Sequence, residues 1–147
     1  MSLINELKAK SNQADNTKQE VIQEIKNYFD EYLNGEQFEN FLKANIREDD
    51  IKKREKLLLV EFWEYSSGCS TTSFYCGGKY WYNPECKDGW GSHAYKGVDL
   101  KTVDKEVCRY LAQRLISRMD DLGFKLLRQE DKTSWLGYYN RHFCFGW

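Results

Sequence analysis

The sequence predicts an α+β fold, an antiparallel β-sheet with two long α-helices packed on one face, and three observations predict it. Two segments, at about 17–33 and 102–122, repeat apolar residues at the spacing of one helix face. Between and after them lie runs rich in β-branched and aromatic residues, broken by turn residues. Helix followed by hairpin occurs once in each half of the chain, which places the helices together against one sheet.

In chain order, residues 1–16 hold Leu3, Ile4 and Leu7 and then only polar residues from Ser11 to Asn16, which reads as a short or frayed helix and a linker. The domain proper is expected over 17–147. Thr17 and Glu20 form a capping box ahead of Val21, Ile22, Ile25, Tyr28, Phe29, Tyr32 and Leu33. Gly35, in a left-handed conformation, should close that helix, and Phe38, Phe41 and Leu42 mark a short helix near 36–44. Residues 47–55 are a charged connector. The run 56–65 reads as a strand, Ser70 to Cys76 as a second, and Gly77-Gly78 as the turn into a third, Lys79 to Tyr82.

The second long helix buries Val107, Cys108, Leu111, Ala112, Leu115, Ile116, Met119 and Leu122, and Gly123 stops it. Lys105 and Arg109 border one edge of this apolar stripe and Arg114 and Arg118 the other, with stems over the core and heads in water. Phe124 to Arg128 and Ser134 to Phe145 read as two strands joined around Glu130-Asp131-Lys132.

A chain of 147 residues is the size of one domain with one core. Its 22 basic and 23 acidic residues balance, so charge names no partner. Nothing resembles a secretory or membrane-spanning segment, since the longest aliphatic run is Leu57 to Val60. The five cysteines are an odd number, which argues for reduced thiols and a cytoplasmic location. The single proline, the excess of Lys over Arg and the frequent Asn and Ile hint at a bacterial or phage genome.

The informative stretch lies between Val60 and Val98. It lacks Val, Ile, Leu and Met, yet holds Phe62, Trp63, Tyr65, Phe74, Tyr75, Tyr80, Trp81, Tyr82, Trp90 and Tyr95. Such a set either packs as cross-strand pairs in the core or presents rigid rings to a partner. The candidate binding residues are Tyr80, Trp81, Tyr82, Trp90 and Tyr95, and the expected partner is another protein or a second copy of the chain. Nucleic acid also stacks on aromatic rings, but it needs a basic track, and Lys52-Lys53-Arg54 with Lys56 follows directly on Glu48-Asp49-Asp50.

Cys69, Cys76, Cys86 and His93, separated by six, nine and six residues, would complete a tetrahedral zinc site, although neither half has the short knuckle such sites use. As an enzyme, the chain would use a cysteine nucleophile, Cys76 beside Gly77-Gly78, with His93 or His142 as base. His142 and Cys144, two apart on a predicted strand, share a face. No phosphate-binding glycine loop, dinucleotide fingerprint or hydrolase motif is present. The expectation is therefore a non-catalytic protein-binding or regulatory module using the aromatic segment between Phe62 and Tyr95. The alternatives are a zinc-stapled nucleic-acid-binding module and a cysteine-dependent enzyme.

Overall fold

The computed structural model describes residues 2–64, 71–84, 94–133 and 138–147. Its elements are α1 (Leu3–Asn34), α2 (Glu36–Asn45), α3 (Glu48–Lys53), β1 (Glu55–Glu64), β2 (Thr72–Cys76), β3 (Lys79–Tyr82), β4 (Ala94–Tyr95), β5 (Val98–Asp99), α4 (Asp104–Asp121), β6 (Lys125–Thr133) and β7 (Tyr138–Gly146). One antiparallel sheet runs in the order β3-β2-β1-β7-β6, and β4-β5 is a separate hairpin. The fold is the α+β arrangement expected, with α1 and α4 over one face of the sheet.

The first helix starts earlier than its sequence signals place it. Ser2 caps α1 by accepting from the Asn5 amide at 3.3 Å, and the helix runs unbroken through residues 3–16, where a frayed segment and linker were expected. Neither glycine nor proline interrupts that stretch. Thr17 does not cap; its hydroxyl donates back to the Gln13 carbonyl at 2.9 Å, as a mid-helix threonine does. The buried face of α1 is the one expected: Val21, Ile22, Ile25, Phe29 and Leu33. Gly35 closes the helix in an extended conformation, φ −90° and ψ 171°, and not in the left-handed one.

The charged connector is partly ordered as α3, whose backbone N–H at Arg47 is bonded by the Asp50 carboxylate at 2.9 Å. The β2–β3 turn is the tight one expected, with Gly77 and Gly78 at φ 65° and 81°. Helix α4 ends in a Schellman arrangement: Gly123 takes φ 95°, its amide donates to Asp120 and the Phe124 amide to Met119. Strand β6 continues through Glu130-Asp131-Lys132, where a turn was expected, and the β6–β7 connection falls on 134–137, outside the described residues.

On the helix-covered face Leu58, Val60, Phe74, Phe143 and Phe145 meet Phe29, Leu111, Leu115 and Met119 in one contiguous core. Burying each such side chain stabilises the fold by about 1.5–3 kcal/mol. Between Leu59 and Glu61 the register of β1 against β7 slips by one residue. This bulge turns Glu61 onto the covered face, opposite Arg141 on one side and Phe74 on the other. Both polar backbone groups of Thr72 bond to α4: its amide donates to buried Asp104 at 2.7 Å, and its carbonyl accepts from the Cys108 thiol at 3.5 Å.

Candidate functional site

The aromatic segment divides between core and surface. Of its ten aromatic residues, the side chains of Phe74, Tyr75, Tyr80, Trp81, Tyr82 and Tyr95 are described; Phe62, Trp63, Tyr65 and Trp90 lie outside them. Tyr82, expected on the surface, is 1% exposed, and its hydroxyl donates to the Leu100 carbonyl. Burial holds its pKa well above the ordinary phenol value. Trp81, also expected outside, is 8% exposed. The reason lies in β3, where a register shift against β2 sets Trp81 and Tyr82 both toward the helices. Tyr80 is exposed, and its ring meets that of Tyr75 edge-on at 5.1 Å. Tyr95 is half-buried, and its hydroxyl donates to Glu24 of α1 at 3.1 Å.

Trp81 nevertheless reaches a cavity. Its indole N–H donates to the Cys76 carbonyl at 2.9 Å, which fixes the ring plane, and the ring packs on Phe29 at 5.4 Å and Tyr32 at 4.7 Å. Tyr32 is edge-on to Phe38 at 5.6 Å. Its hydroxyl lies over Gly77, where a Cβ would fall 1.8 Å from the oxygen, so only glycine permits the approach. Burial, with the Cys76 thiol adding to it, raises the Tyr32 pKa to about 12. The cavity, about 430 Å³, is lined by Tyr28, Tyr32 and Trp81 together with Glu31, Gly35, Gln37 and Lys79. Lys79 Nζ sits 4.4 Å from the centre of the Trp81 ring. A cation placed over an indole is attracted by the negative face of the ring, by about 0.5–1 kcal/mol where solvent reaches it. Sequence spacing could not reveal this pocket, because Tyr28 and Tyr32 come from α1 and Trp81 from β3.

The cysteine and histidine candidates separate. Cys76 belongs to the core, and desolvation pushes its thiol up to about 12, the reverse of what a nucleophile needs. Its proposed zinc partners Cys69, Cys86 and His93 lie outside the described residues. Among the described residues no three His, Cys, Asp or Glu side chains are grouped to hold a metal. His142 stands opposite Leu59 on the face away from the helices, so it cannot serve as a base for Cys76. Cys144 shares that face with His142, as the spacing predicts. Desolvation, the largest cause in each case, raises the Cys144 pKa and lowers that of His142, so both favour their neutral forms.

Fold and pocket together define an α+β protein with a one-sided helical layer and an aromatic cavity where the first helix meets the edge of the sheet. Compared with known proteins, the chain matches no family model, no curated protein and no solved structure. No described helix is long and apolar enough to cross a membrane.

Proposed function

We propose that the protein is a non-catalytic binding module that docks on a partner protein by taking a basic side chain of that partner into the aromatic cavity beside β3. The supporting observation is Lys79, whose ammonium already occupies the cation position over Trp81. In the free protein Lys79 fills the place, and an incoming lysine or arginine displaces it. Glu31 lines the same cavity and supplies a carboxylate, while Tyr28, 52% exposed, stands at the lip. The rings keep their planes without the ligand, so little entropy is lost on binding.

The test is a titration with lysine- and trimethyllysine-containing peptides, read on the Trp81 indole N–H resonance. Lys79→Ala removes the internal competitor and tightens binding about two- to five-fold, while Glu31→Gln weakens it by a similar factor. A resonance that no cationic peptide moves, or a Lys79→Ala variant indistinguishable from the parent, removes the proposal.

A further inference from the structure

A second cleft, separate from the aromatic one, lies open to solvent between α4 and the sheet and has a volume of about 510 Å³, within the roughly 300–1,000 Å³ usual for small-molecule sites. Its floor carries Glu61 of β1, Arg141 of β7 and Gln129 of β6, and its wall is one edge of α4 bearing Lys105, Arg109 and Gln113, each one turn from the next.

The charges in it are incompletely matched, and in opposite senses on the sheet and on the helix. At the floor, Arg141 is shared: Nη1 donates to Glu61 Oε2 and Nε to Asp131 Oδ1, both at 3.1 Å. Glu61 is 6% exposed, and its other oxygen, Oε1, accepts no hydrogen bond among the described residues. Burial raises its pKa, partly opposed by Arg141, so the carboxylate is short of positive partners. At the wall the shortage is of acceptors. Arg114 and Arg118, on the opposite edge of α4, are tied to Asp30, to the Leu33 carbonyl and to Glu39, whereas Lys105 and Arg109 have no partner among the described residues.

A lone anion in this cleft would lie beside a buried carboxylate, and a lone cation would leave two cations unmatched. We infer that the cleft binds a small zwitterion, its ammonium group donating to Glu61 Oε1 and its carboxylate held by Lys105 and Arg109. Gln113 and Gln129 offer amide groups to the part of the ligand between its charged ends.

The experiment is a calorimetric titration of the full chain with glycine, β-alanine, γ-aminobutyrate and 6-aminohexanoate, which differ in the separation of the charges, and with butyrate and butylammonium as single-charge controls. The inference expects one chain length to bind best and both controls to bind at least about ten-fold more weakly. Lys105→Ala with Arg109→Ala should lose about ten-fold or more. Both side chains are exposed, so the fold survives the double change, and thermal unfolding verifies it. Glu61→Gln, nearly isosteric, should lose as much. No binding by any amino acid at about 10 mM, butyrate binding as well as γ-aminobutyrate, or a double variant with unchanged affinity would each overturn the inference.

Discussion

Glu61 and Arg141 stand directly opposite each other across β1 and β7, Arg141 Nη1 donating to Glu61 Oε2 at 3.1 Å beneath α4. Desolvation raises the Glu61 pKa above its usual 4.5, and the attraction of Arg141 offsets only part of that. The folded state then holds this proton to higher pH than the unfolded chain does, so the contribution of Glu61 to stability falls as pH rises from about 4.5 through the raised value. Half-buried Glu24 and Glu130, whose pKa values are lowered by lysine and arginine partners, act in the opposite direction. The measurement is therefore a comparison. Urea unfolding of the parent and of Glu61→Gln from pH 4 to pH 7 should show the parent losing stability relative to the variant over that window. A difference that is flat, or that grows in favour of the parent, contradicts the assignment.

How Glu61 came to be buried also shows what a sequence can carry. Strict alternation along Leu58, Leu59, Val60 and Glu61 sets Glu61 outward with Leu59, and the bulge that reverses this leaves no mark in residue type. The burial of both Trp81 and Tyr82, two candidate binding residues, is hidden in the same way, because a register shift in β3 breaks the alternation. What could be read was whatever depends on neighbours in the chain: the α1 and α4 stripes, the Gly77-Gly78 turn, the Gly123 stop. The aromatic pocket draws on residues from Tyr28 to Trp81 and the cleft on residues from Glu61 to Phe143, and pairing across a sheet is not encoded locally.

Gly77 and Gly78 should respond differently to alanine. Both have positive φ, so each substitution costs about 1–2 kcal/mol of backbone strain. At Gly78 a Cβ meets nothing within 4 Å, whereas at Gly77 it meets Tyr32 Oη at 1.8 Å. Gly77→Ala should therefore be the more destabilising by roughly 1–3 kcal/mol, the usual cost of overpacking. Adding Tyr32→Phe removes the nearest atom and should recover part of that excess; denaturant unfolding of the three variants decides it.

Trp81 and Tyr80, adjacent in β3, should part in the same assay. Trp81→Ala empties a place between Phe29 and Tyr32 and removes the donor to the Cys76 carbonyl, at a cost of about 3–5 kcal/mol. Tyr80 keeps 42% of its surface in solvent, and its loss, which includes the edge contact with Tyr75, should cost less than that of Trp81. Equal losses for the two would contradict the burial that separates them.

The first four turns of α1 bury none of their residues against the other described residues. From Leu3 to Asn16 every residue is exposed, with Leu3 at 68%, Ile4 at 59% and Leu7 at 50%, and the first buried position is Val21. A helical stretch of this length without packing is marginal in water, so its amides should exchange with solvent many times faster than those beyond Val21. Removing residues 1–16 should change the unfolding free energy by less than about 0.5 kcal/mol. Protection of amides 6–16 comparable to that of Ile25 or Phe29, rising with protein concentration, would show instead that the arm is held by another copy. The three apolar residues at its tip would then be the contact, and replacing Leu3, Ile4 and Leu7 with serine would return those amides to fast exchange.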